Sequence, residues 1–167
     1  MKIVIIGCPS SGKTTLANKI SKKLNLSVFH LDKIFWVEPK GIKQDVFIAK
    51  QKEYINNNDS WIIDGSFINS KSFDLRIENS DLIIVYDFPK YLIYWRLIKR
   101  FFRDYDRSRS DMPNERKETL KTTYHLAKYI WVYDNEKIWK KIVELVSNKR
   151  ILKIKTLKEE KEIMNKL

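Results

Sequence analysis

The chain has 167 residues and a formal net charge of +12, with 43% hydrophobic and 13% aromatic residues. These values exclude an intrinsically disordered chain and are typical of one globular domain, residues 1–167. The first apolar run, within residues 2–6, is too short for a signal peptide or a membrane span, and a lone cysteine excludes an internal disulfide framework. We therefore expect a cytoplasmic protein, a monomer or a homodimer, without a membrane partner.

Residues 2–24 predict a strand, a loop and a helix. Residues 2–6 are one lysine followed by four apolar, β-branched residues, as in a buried parallel strand, and residues 15–24 repeat apolar side chains at four-residue spacing, as on one face of a helix. Between them lies Gly-Cys-Pro-Ser-Ser-Gly-Lys-Thr, residues 7–14, which fits the phosphate-binding loop pattern G-x-x-x-x-G-K-[ST]. This placement between a strand and a helix is the one that the motif requires.

The loop residues have a defined chemistry toward a nucleoside triphosphate. Backbone N–H groups and the positive end of the next helix bind phosphate oxygens, the Lys13 ammonium contacts the β- and γ-phosphates, and the Thr14 hydroxyl is a ligand of Mg²⁺. The thiol of Cys8 lies near a helix N-terminus, which can lower its pKa, but a small tolerated residue is the simpler interpretation. The predicted ATP-binding residues are Gly7, Pro9, Ser10, Ser11, Gly12, Lys13, Thr14 and Thr15.

A second strand, predicted at residues 26–31, leads into three candidate substrate-binding residues. Ligands bind outside the carboxyl ends of parallel strands, so Asp32 could hold Mg²⁺ through water or bind a substrate group. The alternative for Asp32 is the N-cap of a helix. Phe35 and Trp36 either belong to the core or form a wall against an aromatic ligand ring.

Residues 44–57 predict an amphipathic helix, and residues 60–63 predict a buried strand that runs into Asp64 and Gly65. A carboxylate at a strand end, followed by a glycine that lets a ligand approach, favours a catalytic role for Asp64 in phosphoryl transfer. Arg76 has two interpretations, as a surface ion-pair partner or as a ligand of the acceptor's phosphate.

The clearest later strand, residues 81–87, ends in Asp87 before Phe-Pro. Asp87 is a candidate Walker-B-type carboxylate that binds the metal through water, with turn capping as the alternative.

An arginine-rich helix is predicted at residues 90–103. Arg96, Arg100, Arg103 and Arg107 follow one another at steps of four, three and four residues, which places them on one helix face. Like charges stacked in this way repel, so we predict that this face clamps phosphate rather than being merely solvated. The polar stretch that follows, about residues 103–118, predicts a mobile lid over the site.

The rest of the chain completes an alternating pattern. Residues 114–133 and 135–147 predict two helices, residues 151–154 predict a last strand, and a Lys/Glu-rich helix ends the chain. The whole pattern predicts an α/β protein with the three-layer P-loop NTPase fold, in which helices flank a five-stranded parallel sheet and a short helical Arg-rich lid covers the site.

Several motifs resemble known families. In the form G-x-P-x-x-G-K-x-T, the loop resembles that of nucleoside monophosphate kinases of the adenylate kinase type, whose strand ending in Asp-Gly is similar to residues 61–65. The chain more closely resembles the bacterial DNA topology modulation (FlaR-like) proteins, over roughly residues 1–147. That resemblance is carried by residues 7–15, 30–32, 35–36, 61–65, 74–76, 87–89 and 109–113.

The resemblance implies a kinase that uses ATP and Mg²⁺. It places Lys13 on the phosphates, Thr14 on the metal and Asp64 near the metal or the acceptor. The arginines implied at the transferring phosphoryl group are Arg96 and Arg100, and those implied in the lid are Arg107 and Arg109.

The acceptor stays open among a nucleoside monophosphate, a nucleoside and a small hydroxylated metabolite. Residues 64–69 lack the arginine that adenylate kinases carry after their Asp-Gly-Phe. One alternative function is a nucleic-acid-associated regulator (DNA topology modulation) that uses ATP binding as a switch, which the charge of +12 supports only weakly. The other alternative is an ATPase without a dedicated acceptor.

Overall fold

The structure, a computed structural model, describes residues 1–38, 40–105, 118–146 and 149–167. Within these ranges it contains five strands and eight helices. In chain order they are β1 (Lys2–Gly7), α1 (Lys13–Leu24), β2 (Val28–His30), α2 (Leu31–Phe35), α3 (Gln44–Asn57), β3 (Trp61–Asp64), α4 (Ser72–Glu78), β4 (Leu82–Tyr86), α5 (Lys90–Asp104), α6 (Leu120–Val132), α7 (Asn135–Leu145), β5 (Arg150–Ile154) and α8 (Leu157–Lys166).

The five strands form one parallel sheet in the order β2-β3-β1-β4-β5. The central strands β1, β3 and β4 are almost wholly buried, which explains why they are continuous apolar runs rather than alternating ones. The chain leaves β1 for one side of the sheet and later crosses to the other, so the carboxyl end of β1 lies at the point where the strand order reverses. Ligands of open α/β sheets bind at such a point.

The predicted fold class is confirmed: helices flank a five-stranded, all-parallel sheet in a three-layer α/β arrangement. The third helix, predicted at residues 44–57, has those bounds in the structure. The core is built mainly from the strands and from the apolar faces of α1 and α5, where Leu16, Ile20, Ile93 and Leu97 are buried. In the described ranges, no helix is both long and apolar enough to cross a bilayer.

The structure corrects several element boundaries. The first helix begins at Lys13 rather than at residue 15, and the short helices α2 and α4 were not predicted. The helix predicted at residues 114–133 begins at Leu120, where the Thr119 hydroxyl accepts a hydrogen bond from the backbone N–H of Thr122 in a capping box. Residues 106–117, most of the predicted lid, lie outside the described ranges.

Candidate active site

The phosphate-binding loop joins β1 to α1 in a tight turn. Ser10 has φ 63° and Gly12 has φ 104°, and left-handed residues of this kind turn successive backbone N–H groups toward one anion. The N–H of Ser11 bonds the carbonyl of Cys8 at 3.2 Å, and Lys13 Nζ donates to the same carbonyl at 3.0 Å. The Lys13 ammonium group therefore lies against the loop. Its contact with the phosphates of a nucleotide stays a prediction.

Cys8 is structural rather than reactive. It is 1% exposed, and burial raises the pKa of its thiol to about 12, against the smaller lowering effects of Lys13 and Lys90. Desolvation therefore outweighs the attraction of these two cations for the thiolate. The simpler of the two interpretations, a small tolerated residue, agrees with this environment.

A hydrogen-bonded trio connects the loop to the neighbouring strands. Thr14 Oγ1 donates to Asp64 Oδ2 at 2.7 Å, and His30 Nδ1 lies 3.0 Å from the same oxygen. The sheet brings these residues together, because His30 ends β2 and its register partner Asp64 ends β3, the strand between β2 and β1. Asp64 is 4% exposed, and among the described residues no group hydrogen-bonds its buried Oδ1.

These atoms fit a magnesium ion. Mg²⁺ prefers oxygen ligands and usually takes one or two protein ligands together with substrate phosphates and water. The Thr14 hydroxyl and the Asp64 carboxylate supply such oxygens next to the loop, and a bound cation would give the buried Oδ1 of Asp64 a partner. Within the described ranges, no cluster of three or more His, Cys, Asp or Glu offers an alternative metal site.

Asp87, the carboxylate predicted near the metal, lies elsewhere. Its Oδ2 is 3.5 Å from Lys153 Nζ, and its backbone N–H bonds the carbonyl of Ile154 at 2.8 Å. It lines a separate surface depression rather than the main cavity. Asp64, which contacts the loop threonine, is therefore better placed than Asp87 for the metal role that was predicted from the sequence.

The arginine helix α5 faces the loop. Arg96 donates to the carbonyl of Ser11, and its guanidinium lies 4.4 Å from the ring centre of Phe88. Arg96, Arg100 and Arg103 line the same cavity as Lys13, so the structure brings the three described arginines of the predicted cluster to the site. Arg107 and Arg109 lie outside the described residues.

Carboxylates relieve much of the expected repulsion between these arginines. Arg100 Nη2 bonds Glu118 Oε1 at 3.0 Å with both side chains buried, and Arg103 Nε bonds Asp104 Oδ1 at 2.7 Å. The charge cluster therefore does not by itself require an anion, which corrects the physical argument made from the sequence.

Asp32, Phe35 and Trp36 line the opposite side of the cavity. The N-cap of α2 is His30 and not Asp32, which excludes the capping alternative. The position of Phe35 agrees with both interpretations, a core residue and a wall of a ligand site. Its ring packs on that of Phe67, with ring centres 5.1 Å apart, and it also borders the cavity.

Arg76 is a structural residue. It is fully buried, and its guanidinium donates to the backbone carbonyls of Ser72, Gly65, Ser66 and Phe67. Burial lowers its pKa to about 9, which still leaves it charged near neutral pH. It does not line the cavity, so neither interpretation made from the sequence, the surface ion pair or the phosphate ligand, matches its position.

Sequence reasoning missed three polar residues that shape the site. His30 orients Asp64, Glu118 pairs with Arg100, and Ser66 Oγ accepts from the N–H of Gly7 at 3.1 Å. Of these three residues, only His30 could have been identified from the sequence. It is one of only two histidines, and it lies two positions before Asp32 near the end of a predicted strand. A serine and a glutamate in irregular segments carry no comparable signal.

One cavity of about 1620 Å³ joins these parts. Sites for a single small molecule usually measure about 300–1000 Å³. The cavity therefore has room for two ligands side by side, one at the loop and one at the wall formed by Asp32, Phe35 and Trp36.

Two solved kinases are similar to this chain in structure. One is deoxyadenosine kinase from M. mycoides, with the products dCMP and a flexible dCDP bound, at a TM-score of 0.53 and 19% identity over 99% of this chain and 98% of that one. The other is shikimate kinase from Aquifex aeolicus, at a TM-score of 0.51 and 19% identity over 99% of this chain and 92% of that one. No protein-family model and no curated protein matches the chain. The comparisons establish the fold, and the resemblance to DNA topology modulation proteins stays a prediction.

Proposed function

We propose that this chain, which has the fold of P-loop kinases, is a phosphotransferase that moves the γ-phosphoryl group of ATP to a nucleotide or a small hydroxylated acceptor with Mg²⁺. The observation that carries the proposal is the contact of 2.7 Å between Thr14 and Asp64 beside Lys13, at the edge of a cavity with room for two ligands. The names of the two similar structures, a deoxyadenosine kinase and a shikimate kinase, support transfer to a small acceptor.

The loop and its neighbours would bind the donor. Residues 7–15 wrap the phosphates with backbone N–H groups, and Lys13 adds a positive charge at the β- and γ-phosphates. Thr14 and Asp64 would hold Mg²⁺, which supplies charge neutralisation on the phosphate oxygens when it is bound.

Residues across the cavity would complete the transfer. Phosphoryl transfer depends mainly on positioning and on stabilising charge at the equatorial oxygens. Arg96 and Arg100 line the cavity together with Lys13, and we assign them to the stabilisation of that charge. We assign Arg107 and Arg109 to a lid that excludes water. Asp32, on the opposite wall, would orient the acceptor.

The test is the replacement of the loop lysine. Lys13→Ala should abolish most ATP binding, measured by calorimetry, and most ADP release. Lys22→Ala is the matched control, because Lys22 lies on the exposed face of the same helix. ATP binding by Lys13→Ala at the wild-type affinity would overturn the loop assignment.

A second candidate function is supported by an aromatic and basic face on α5 and α6. Its apolar members are 53–77% exposed and are Tyr91, Trp95, Ile98, Phe102, Leu120, Tyr124 and Trp131. Lysines lie among them: Lys99 Nζ is 3.8 Å from the ring centre of Trp95, and Lys128 Nζ is 5.0 Å from that of Tyr124. Exposed aromatic rings beside cations can stack the bases of single-stranded nucleic acid, which supports an ATP-binding regulator associated with DNA.

A further inference from the structure

We propose that Ser66 is a positioning residue of the phosphate loop. Its hydroxyl continues the hydrogen bonding between β1 and β3 beyond the point where β3 ends, and it thereby fixes the peptide through which the chain enters the loop. The proposal rests on the proposed ATP-binding function of that loop, and it adds a residue that the loop motif does not contain.

The edge of β1 that faces β3 extends beyond the end of β3. Along this edge the carbonyl of Ile5 accepts from the N–H of Gly65 at 3.2 Å. Alternate residues of a strand direct their backbone groups toward the same neighbouring strand, so Gly7 also faces β3. The paired register, however, ends at Ile5, and β3 ends with it. Strand pairing with β3 therefore stops before the last residue of β1.

The side chain of Ser66 takes the place of the missing strand. Its Oγ accepts from the N–H of Gly7 at 3.1 Å and donates to the carbonyl of Gly7 at 2.5 Å, so one hydroxyl serves both backbone groups. Tyr133, a buried residue, donates to the same oxygen at 3.4 Å. A hydroxyl has one donor and two acceptor sites, so these three contacts use its full capacity. Ser66 therefore serves the loop rather than a ligand, although it borders the cavity.

The backbone around Ser66 is fixed by buried groups. The guanidinium of Arg76, which is fully buried, donates to the carbonyls of Gly65 and Ser66 at 3.2 and 2.9 Å. Gly65 packs so closely on Leu31 that a Cβ added to the glycine would lie 2.8 Å from the Cβ of Leu31. Movement of Ser66 would leave carbonyls without their buried donor, which costs free energy. The hydroxyl is thus presented to the loop from a part of the chain that the core holds in place.

The carbonyl of Gly7 connects Ser66 to the rest of the loop. A peptide unit is planar, so a fixed carbonyl on Gly7 also fixes the N–H and the Cα of Cys8. The carbonyl of Cys8 in turn accepts from the N–H of Ser11 and from Lys13 Nζ, at 3.2 and 3.0 Å. Ser66 therefore acts on the loop lysine through the peptide that joins Gly7 to Cys8.

Removal of the hydroxyl tests the proposal by two independent measurements. Ser66→Ala should weaken the binding of MgATP, measured by calorimetry, by about 10-fold, because two backbone groups at the entry of the loop lose their partner. In the nucleotide-free protein it should also raise the rate at which iodoacetamide labels the thiol of Cys8 by about 10-fold, because this buried residue directly follows Gly7. Ser66→Thr keeps the hydroxyl and should restore both quantities nearly to the wild-type values.

Ser80→Ala is the matched control for the loss of a serine hydroxyl. Ser80 is buried, its hydroxyl donates to the carbonyl of Ile77 at 2.8 Å, and it does not line the cavity. This variant should bind MgATP as tightly as the wild type. Global unfolding also exposes Cys8, so the labelling rates are compared after correction for the free energy of unfolding of each variant, measured by urea denaturation. The excess rate in Ser66→Ala over Ser80→Ala then measures local opening of the loop.

The two measurements separate failure of this proposal from failure of the proposed function. Wild-type ATP affinity in Ser66→Ala, or labelling of Cys8 no faster than in Ser80→Ala, would overturn the positioning role and leave the loop as an ATP site. Loss in Ser66→Thr as large as in Ser66→Ala would also overturn it, because the hydroxyl would not be the group responsible. Failure of the wild-type protein to bind ATP removes the proposed function, and with it the role of Ser66 in nucleotide binding.

Discussion

At the scale of single residues, His30 has the clearest positioning role. Its Nδ1 and the Thr14 hydroxyl both contact Oδ2 of Asp64, which leaves the buried Oδ1 to meet a cation. Partners of a metal ligand fix its orientation, and their loss typically costs about 10–100-fold in metal affinity. His30→Ala should therefore weaken Mg²⁺ binding by about 10-fold or more.

Two amide variants serve as controls for His30→Ala. In His30→Asn the amide nitrogen falls near the position of Nδ1, so this variant should restore most of the Mg²⁺ affinity. In His30→Gln the longer side chain places the amide nitrogen beyond that position, so it should restore less. Binding of Mn²⁺ to the complex with a nonhydrolysable ATP analogue, followed by electron paramagnetic resonance, reports the effect without turnover. Equal Mn²⁺ affinity in wild type and His30→Ala would show that Asp64 needs no such support.

The buried thiol of Cys8 gives a second prediction at this scale. Its pKa of about 12, against an ordinary value of 9.0, means that the native protein holds about 1000-fold less thiolate than the unfolded chain at pH 8. Iodoacetamide should therefore label the native protein at least ~1000-fold more slowly than it labels the protein in urea. Because the chain has a single cysteine, the mass increase assigns the site.

The thiol of Cys8 should also make the protein less stable at high pH. Between pH 9 and 12 the unfolded chain loses the thiol proton and the native protein keeps it, so the free energy of unfolding should fall as the pH rises through this window. Cys8→Ser removes a thiol that ionises there and serves as the control. Native labelling at the rate of a free thiol would contradict the burial of Cys8.

At the scale of elements, the pairing of α5 with α6 depends on a buried ion pair. Arg100 and Glu118 are 3.0 Å apart with 10% and 6% of their side chains exposed. Removing one partner of a buried ion pair is strongly destabilising and typically costs about 3–5 kcal/mol. Glu118→Ala should lower the free energy of unfolding by that amount, measured by urea denaturation.

Two further variants make the ion-pair prediction specific. The double variant Arg100→Met/Glu118→Leu should recover much of the loss, because apolar side chains of similar volume replace both members of the pair. Arg103→Met tests the exposed pair with Asp104 and should cost below about 1 kcal/mol, since the Arg103 side chain is 74% exposed. If Glu118→Ala costs no more than Arg103→Met, the buried pair does not hold the two helices together.

Elements with a strong period could be predicted from the sequence, and elements set by tertiary contacts could not. The apolar strands and the helix at residues 44–57 carry their own pattern. The short helices α2 and α4 have five and seven residues, too few to show a helical period, and Arg76 holds the chain ahead of α4 through three carbonyls, those of residues 65–67. Only the folded chain reveals such an arginine, because a buried guanidinium and a surface one look the same in the sequence.

The candidate site also combines features that a local sequence pattern predicts with features that depend on tertiary contacts. The loop pattern predicted the turn between β1 and α1, next to Lys13 and Thr14, because that pattern is local, and phosphate binding there stays a prediction. Strands β3 and β4 both flank β1, so strand order does not separate Asp64 from Asp87. The choice depended on the register along the strands, because only Asp64 lies against Thr14, whereas Asp87 pairs with Lys153. Sequence spacing does not record that register.

At the scale of the whole molecule, a net charge of +12 and the aromatic face on α5 and α6 raise the question of nucleic acid. Charge alone gives non-specific binding whose affinity falls steeply with salt, with a dissociation constant of about 10⁻⁴–10⁻⁶ M near physiological salt. A phosphotransferase with a basic surface should behave in this way. We therefore expect a labelled single-stranded oligonucleotide to bind at low salt and to be released near physiological salt, whether or not MgATP is present.

The aromatic face supplies the variant that separates the two functions. Base stacking on exposed rings is worth about 1–3 kcal/mol per base and depends little on salt, so a true single-strand site should lose affinity in Trp95→Ala and Trp131→Ala. Both indoles are exposed, at 53% and 72%, so their removal leaves the core intact. Fluorescence anisotropy across a salt series, with Lys22→Ala as the charge control, measures the effect. Binding that persists at physiological salt, requires ATP and is lost in the tryptophan variants would instead favour the DNA-associated regulator, because charge alone produces none of these three properties.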